Sequence, residues 1–254
     1  MGSIYDRADI YDLLEDEYRY NVYKRHWEAL LKNRQIETFL DVSIGSGSVT
    51  LPVTELGVRL SGSDLSEAML RKCREKADAK KLSLTLECCD FRAVAEHFSE
   101  KYDCVASTGN SLPYVSNEDV CKTLEQMDSL VNPGGYLYFD VRNWDKILRE
   151  RQRFYLYNPF FDGDTRINLI QVWDYNEDDS MTFHLLYTFE KENRIFQKEK
   201  FEEHYIPVRR KILLDKLREM GYEEIEIMNF PIGISGNSVD DTDWYCVMAG
   251  KGNR

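Results

Sequence analysis

The stretch from Thr38 to Thr50, TFLDVSIGSGSVT, constrains the fold of this chain more than any other. Its first half is a short apolar run that ends in small residues, which is typical of a buried strand. Its second half predicts a tight glycine turn and then a helix start. Gly45 and Gly47 lack side chains, so the backbone can bend sharply there and a ligand can approach it closely. Asp41 ends the strand, at the edge where ligands bind in open α/β sheets.

A second strand pattern, residues 58–63, leads into Asp64. This acidic residue follows the glycine turn by roughly twenty positions, the spacing at which nucleotide-binding βαβ units hold ribose hydroxyls. The dinucleotide motif also needs a third glycine, but Thr50 stands in its place. The turn therefore fits a nucleoside ligand without a pyrophosphate better than it fits NAD.

Two motifs resemble the class I S-adenosylmethionine (SAM) dependent methyltransferases. Asp41-Val-Ser-Ile-Gly-Ser-Gly is similar to their first motif and Asp64-Leu-Ser-Glu-Ala-Met-Leu to their second. The resemblance implies that the two glycines lie against the methionine part of SAM, that Asp64 holds the ribose and that Asp90 lies near the adenine amino group. Asp90 could instead be a simple turn or helix-cap residue. The cofactor-binding residues implied are Asp41, Ser43, Gly45, Gly47, Asp64, Leu65, Asp90, Phe91 and Thr108.

Alternating strand and helix patterns predict an α/β fold. The strands are expected at residues 38–42, 58–63, 82–88, 102–107, 136–141, 223–229 and 244–249, and the helices at about 48–56, 66–80, 118–130 and from Pro207 onward. A turn signal, Asn132-Pro-Gly-Gly135, precedes the fifth strand. The resemblance implies a Rossmann-like seven-stranded sheet of order 3-2-1-4-5-7-6, with helices on both faces and an antiparallel closing pair.

Between residues 154 and 206 the pattern changes. Segments 166–175, 181–191 and 194–206 are aromatic and β-branched and are separated by polar turn signals. This predicts antiparallel strands, which we interpret as an inserted lid over the pocket mouth. The expected organisation is N-terminal helices and the SAM-binding core in 1–153, the lid in 154–206, and the last helix and two strands in 207–254.

Two loops narrow the resemblance to glycine and sarcosine N-methyltransferases. Gly109-Asn-Ser111 is similar to a G-N-S loop whose asparagine faces the substrate, a role that falls on Asn110. The segment 140–148, DVRNWDKIL, is similar to D-H-R-N-Y-D-x-I-L, with Val141 replacing His and Trp144 replacing Tyr. The arginine of that segment binds the substrate carboxylate in the family, which assigns this role to Arg142.

The chemistry agrees, because a planar guanidinium holds a carboxylate by two parallel hydrogen bonds. The alternative is that Arg142 forms an ion pair with Asp140 or Asp145. In the tyrosine-rich segment 4–33, one or two helices either pack on the sheet or form a lid from which Tyr5 or Tyr11 reaches the site; we take Tyr11 as a substrate-binding candidate. His204-Tyr205, near the end of the lid, is a further candidate pair.

Composition excludes several other classes. The net charge is −12, and an acidic surface without a basic cluster repels nucleic acid. No apolar run reaches the ~18 residues that span a bilayer, and no signal pattern opens the chain. The six cysteines form no C-x-x-C pair and the four histidines have no metal-ligand spacing. We therefore expect a cytoplasmic protein that acts on a small molecule, without metal, membrane or nucleic acid.

These patterns support SAM-dependent methylation of the amine of a small, carboxylate-bearing substrate similar to glycine or sarcosine. No residue stands out as a general acid or base. Three alternatives remain: a nicotinamide-dependent dehydrogenase, a SAM-binding protein without activity, and a methyltransferase for another small acid or amine. The sequence predicts no oligomeric state.

Overall fold

The structure, a computed structural model, describes residues 2–233, 236 and 238–252. Its main sheet has seven strands in the order β3-β2-β1-β4-β5-β12-β11. The first five strands in the chain are parallel, whereas β12 runs antiparallel to both β5 and β11. This confirms the predicted order and the antiparallel closing pair. The strands are β1 Thr38–Asp41, β2 Arg59–Asp64, β3 Thr85–Cys88, β4 Tyr102–Ser107, β5 Val131–Arg142, β11 Glu224–Asn229 and β12 Trp244–Gly250.

Helices cover both faces of this sheet because neighbouring strand residues point to opposite sides. In β1, Phe39 packs with helices α2 (Glu17–Leu31) and α3 (Glu67–Ala79), and Leu40 packs with α4 (Asn117–Ser129) and α6 (Arg210–Glu219). The remaining helices are short: α1 is Ala8–Tyr11 and α5 is Trp144–Glu150. Short 3-10 helices occur at Ile4–Asp6, Asp12–Leu14, Leu51–Leu56, Phe91–Glu96 and Leu112–Tyr114.

Polar side chains fix where the helices begin. Asp16 accepts a hydrogen bond from the backbone N–H of Arg19 at the start of α2, and Ser66 and Ser116 play the same part for α3 and α4. Asn143 caps α5 in the same way. Each cap satisfies a backbone donor that has no partner within the helix. The caps therefore set the point at which the chain leaves each strand-end loop.

A second, antiparallel sheet lies between β5 and α6 in the chain, as predicted. Its order is β10-β9-β8-β6, with β7 also paired to β8. The strands are β6 Phe154–Leu156, β7 Phe160–Asp162, β8 Thr165–Tyr175, β9 Met181–Lys191 and β10 Arg194–Tyr205. The three long strands were predicted closely, whereas the short β6 and β7 were not. The inner face of this sheet joins the same apolar core as Val141 and Trp144.

Four expected boundaries differ from the structure. The third strand, expected from residue 82, begins only at Thr85. The helix expected at 48–56 is only a 3-10 helix, Leu51–Leu56, because Pro52 has no N–H and fits only a first turn. The turn signal at 132–135 is an irregularity inside β5, with Gly134 at φ +75°. The last helix begins at Arg210 rather than Pro207, where the Asp145 carboxylate accepts from the Arg210 N–H at 2.9 Å.

Gly62, in the middle of β2, has no room for a side chain. A Cβ atom there would lie 2.5 Å from Cδ1 and 2.9 Å from Cβ of Ile44. We expect Gly62→Ala to lower the free energy of unfolding by ~1–3 kcal/mol through overpacking, measured by urea denaturation. Gly250→Ala is the matched control because its Cβ would have no neighbour nearer than 3.6 Å. Equal stability of the two variants would contradict this packing argument.

Candidate functional site

A cleft opens at the carboxyl ends of β1, β2 and β4. Gly45, at φ +56°, turns the chain there, and its N–H donates to the Asp64 carboxylate at 2.9 Å. The other Asp64 oxygen accepts from the Ser66 N–H at 2.8 Å, so the carboxylate is held at the edge of the cleft. Of the predicted cofactor residues, four line this cleft: Ser43, Gly45, Asp64 and Thr108.

Asp41 lies beneath the surface of the cleft and holds two of its loops together. It is fully buried, and its oxygens accept hydrogen bonds from the Thr50 hydroxyl, from the Thr108 hydroxyl at 2.7 Å and from the Ser43 N–H at 3.1 Å. Burial raises its pKa to about 6, although the three donors oppose that shift. In this arrangement Asp41 does not line the cleft; it ties the glycine turn to the loop that follows β4.

The other predicted cofactor residues do not line the cleft, and one of them, Phe91, is half-buried against the apolar core. Gly47 is needed for packing, since a Cβ there would meet Leu51 at 2.8 Å. Leu65 is 73% exposed beside Asp64, and this leaves an apolar surface next to a carboxylate. Asp90 caps the 3-10 helix Phe91–Glu96 and forms an ion pair with Arg92. These contacts are those of the alternative role given above, a helix-cap residue.

The N-terminal segment covers the cleft, which favours the lid alternative. Tyr5 and Tyr11 both line it. The segment is fastened by Lys76, whose ammonium donates to the Asp12 carboxylate at 2.9 Å and to the Ser48 hydroxyl at 2.8 Å. The Asp12 carboxylate also accepts from the Ser46 hydroxyl at 2.6 Å. This network ties the N-terminus to the glycine turn.

A larger cavity of about 430 Å³ adjoins the cleft. The two share a boundary at Tyr5, Tyr11, Ser48, Val49 and Gly109. The second sheet and the N-terminal helices supply most of its wall, which is rich in tyrosine. A ligand in the cleft and one in the cavity would meet at this boundary.

Arg142 is the more deeply buried of two arginines that line the cavity; the other, Arg19, is partly exposed and pairs with Glu15. The Arg142 side chain ends β5 and the residue is 6% exposed. Nη2 makes only long contacts, 3.5 Å to the Tyr157 hydroxyl and 3.5 Å to Gln171 Oε1. The guanidinium also lies over aromatic rings, nearest to Trp244 at 4.8 Å from the centroid. Within the described part of the chain it has no carboxylate partner, so the predicted alternative of an ion pair with Asp140 or Asp145 is not what the structure shows.

Asn110 fixes the position of Arg142. It adopts φ +62°, and its carboxamide oxygen accepts from the Arg142 N–H at 2.9 Å and from Trp144 Nε1 at 3.1 Å. Asp140 accepts from the Gly109 N–H at 3.0 Å, and burial holds the pKa of Asp140 well above its usual range. The two loops that carried the family resemblance therefore meet, and Asn110 and Arg142 line one cavity.

The sequence reasoning missed part of this cavity. Glu203 lines it from β10, beside Tyr205 of the predicted pair, whereas His204 is exposed and does not line the cavity. Tyr155, Tyr157 and Trp244 surround the guanidinium or lie beside it. One signal was available for Glu203: it lies in the buried phase of an alternating strand, between Phe201 and Tyr205, where an apolar residue is expected. Trp244 carries no comparable signal, because it reaches the site from a distant part of the chain.

No group of three or more His, Cys, Asp or Glu side chains within 2–233, 236 and 238–252 could hold a metal ion. Over the same ranges, no helix has both the length and the apolar character to cross a membrane.

Comparison with known proteins agrees with this geometry. Residues 39–135 match a family model described as a methyltransferase domain. The chain is 36% identical over 121 residues to a glycine/sarcosine N-methyltransferase from Aphanothece halophytica, covering 47% of this chain and 46% of that protein. The chain thus spans about half the length of the curated relatives it matches.

Solved structures share the fold over nearly the whole chain. A SAM-dependent methyltransferase from Clostridium acetobutylicum superposes with a TM-score of 0.76 at 16% identity, covering 97% of this chain and 98% of that one. A SAM-bound amino pentose methyltransferase from Micromonospora echinaspora gives 0.73 at 12% identity, covering 99% and 98%. These likenesses include the second sheet as well as the main one.

Asp64 provides a test of the cleft. We expect Asp64→Ala to weaken SAM binding by ~1–3 kcal/mol, because a charged hydrogen-bond acceptor is lost. Isothermal titration calorimetry with SAM measures this directly. Asp78→Ala, on the exposed surface of α3, removes the same charge away from the cleft and should leave the affinity unchanged. An Asp64→Ala variant that binds SAM as the parent does would remove Asp64 from the site.

Proposed function

We propose that this chain, a class I SAM-dependent methyltransferase, methylates the amine of a small molecule that carries a carboxylate. The observation that carries the proposal is the Arg142 guanidinium, which is buried in the cavity wall without an anionic partner among the described residues. The Aphanothece relative is named for glycine and sarcosine, and both are small amino acids.

Energetics favour an anionic ligand at Arg142. A buried charge without a partner is costly, by several kcal/mol for an ion of this kind. The aromatic faces of Trp244 and Trp173, at 4.8 and 5.4 Å, offset part of that cost by cation–π attraction. They leave in-plane donors without short hydrogen bonds, and a carboxylate can accept two of these in parallel.

The cleft fits SAM. Asp64 offers a carboxylate for ribose hydroxyls, the exposed Leu65 offers an apolar surface for the base, and the turn at Gly45 allows close approach. When bound, SAM supplies a methyl group on a sulfonium, which a neutral amine can take without covalent help from the protein. The chain then contributes proximity and orientation, worth up to ~7–11 kcal/mol in well-oriented systems.

Three of the boundary residues orient the reaction. Gly109, Tyr5 and Tyr11 border both the cleft and the cavity, so the methyl donor and the acceptor amine would meet there. Asp140 holds the Gly109 N–H, and Asn110 holds the Arg142 backbone. A carboxylate on Arg142 would therefore fix the acceptor relative to a rigid strand end.

Arg142→Lys tests the carboxylate role. The ammonium keeps the charge but loses the planar fork, so we expect KM for the acceptor to rise by ~10–100-fold, on the scale of a charged hydrogen bond. Affinity for SAM should change little. Arg153→Lys is the matched control, because Arg153 is half exposed and pairs with Asp174 outside the cavity. Unchanged KM in Arg142→Lys would make Arg142 a structural residue.

A second candidate follows from the cavity volume. About 430 Å³ falls in the range of ~300–1,000 Å³ that suits drug-sized ligands, and glycine is far smaller than these. A larger carboxylate-bearing amine, or an amino sugar as in the name of the Micromonospora neighbour, would fill more of the space.

A turnover screen separates the two candidates. S-adenosylhomocysteine (SAH) release is measured with glycine, sarcosine, dimethylglycine, larger amino acids and amino sugars. From the volume we expect kcat/KM to rise from glycine to larger amino acids. Turnover of amino sugars alone, which lack a carboxylate, would overturn the carboxylate proposal.

A further inference from the structure

We propose that Glu203, together with Tyr5, Tyr114 and Tyr205, forms the subsite that binds the amine of the acceptor. This inference rests on the proposed function, because it adds a second charged contact to the cavity in which Arg142 holds the carboxylate. It makes the cavity a receptor for a zwitterion, in which both charges of the ligand meet a buried side chain of opposite sign. The bound ammonium must give up its proton, to the Glu203 carboxylate or to solvent, before the neutral amine attacks the methyl group.

Glu203 is a buried carboxylate that faces the cavity. It is 4% exposed. Oε1 accepts from the Ser3 hydroxyl at 2.8 Å and from the Ile4 N–H at 2.8 Å, and Oε2 lies 3.0 Å from the Tyr114 hydroxyl. These donors are neutral, and within the described ranges no Lys, Arg or His side chain pairs with Glu203. Its charge is therefore solvated by dipoles and remains available to a cation.

Three tyrosine hydroxyls form a hydrogen-bonded cluster along the wall, beginning at the Glu203 carboxylate. The Tyr114 hydroxyl oxygen lies 2.7 Å from that of Tyr205 and 3.1 Å from that of Tyr5. Tyr114 has one proton, and the Glu203 carboxylate can only accept. The Tyr114 hydroxyl is placed to donate to Glu203 and to Tyr5, which share its one proton, and the Tyr205 hydroxyl can donate to Tyr114. The remaining lone pairs of Tyr5 and Tyr205 are then acceptors at the cavity wall.

The tyrosines remain hydroxyls in this arrangement. Burial raises the pKa of Tyr5 and of Tyr114 well above the usual range, and the charge of Glu203 adds to the shift. Burial and the Glu203 charge also raise the pKa of Tyr205. The three phenols therefore stay neutral, and the Glu203 charge polarises the hydrogen bonds among them.

Arg142 and Glu203 share one cavity and a common neighbour, Tyr205, which interacts electrostatically with each of them. Tyr5 also borders the cleft, so an amine bound at this wall lies next to the cofactor. An acid without an amine would leave Glu203 without a cation, and the site would discriminate against it. The competing explanation is that Glu203 only anchors the N-terminus through Ser3 and Ile4.

Two isosteric probes distinguish these explanations. Sarcosine and butyrate have the same shape and carboxylate, but butyrate has a methylene where sarcosine has its ammonium. Their affinities for the full chain saturated with SAH are measured by calorimetry, so turnover is not required. We expect Glu203→Gln to weaken the binding of sarcosine by ~10–100-fold, the scale of one charged hydrogen bond. The affinity of the same variant for butyrate should stay within about threefold of the parent value or increase.

Three further variants serve as comparisons. Tyr114→Phe breaks the link to Glu203 while leaving its charge, and should weaken sarcosine by ~3–10-fold. Ser3→Ala removes an anchoring bond without changing the charge, and Glu202→Gln removes a charge from the opposite side of β10, where it pairs with His184 and Lys200. Neither should change the ratio of sarcosine to butyrate affinity.

The outcomes separate the inference from its premise. The amine subsite is wrong if Glu203→Gln weakens the binding of sarcosine and of butyrate equally. It is also wrong if the ratio of sarcosine to butyrate affinity is unchanged in both Glu203→Gln and Tyr114→Phe. Either result leaves the proposed role of Arg142 intact. The same ratio change in Ser3→Ala assigns Glu203 to anchoring only. If Arg142→Lys does not weaken butyrate, the carboxylate proposal is wrong and the amine subsite falls with it.

Discussion

The guanidinium of Arg142 is the charge on which the arrangement of the two sheets depends. It stands at the last residue of β5, and the rings around it come from both sheets: Trp173 and Phe183 from the second, Trp244 from the first. A cation of this kind is tolerated in an apolar interior only when its surroundings compensate it. The aromatic faces offset part of the cost of burial by cation–π attraction, while Nη2 makes only long contacts, of 3.5 Å, with Tyr157 and Gln171. The second sheet is therefore more than a cover, because it supplies part of the environment that allows the charge to be buried.

The cleft lies at the strand ends, and two buried carboxylates hold its loops there by hydrogen bonds. Asp41 ties the glycine turn to Thr108, and Asp140 ties Gly109 to the end of β5. Both carboxylates are buried, and burial raises the pKa of each. Their hydrogen bonds hold the loop after β4 between the glycine turn and Arg142. The loop is thereby placed at the boundary of cleft and cavity, which is where two ligands must meet for a group to pass between them.

The fold was more predictable from sequence than the site. Strand patterns are local, so β8, β9 and β10 were located to within about one residue, and the sheet order came from the resemblance carried by residues near Asp41 and Asp64. Local patterns failed where a single residue decides the geometry. After Gly47 they predicted an ordinary helix, but Pro52 limits that segment to a 3-10 helix. The site was harder because its wall is assembled from separate segments. Trp244 and Tyr5 lie at opposite ends of the chain, and only the packed sheets bring them to one cavity.

The departures from the glycine and sarcosine N-methyltransferase motif can be interpreted from the same contacts. Val141 is fully buried in the apolar core, so its side chain faces away from the cavity and does not touch a ligand there. Trp144 retains a polar contact, because its indole N–H donates to the Asn110 oxygen that also holds the Arg142 backbone. Both substitutions therefore preserve the position of Arg142. The opposite wall of the cavity comes from the second sheet, which contributes Gln171, Tyr187 and Glu203. Under the proposed function, Arg142 sets where a carboxylate would bind, and these residues of the second sheet would select what is attached to it.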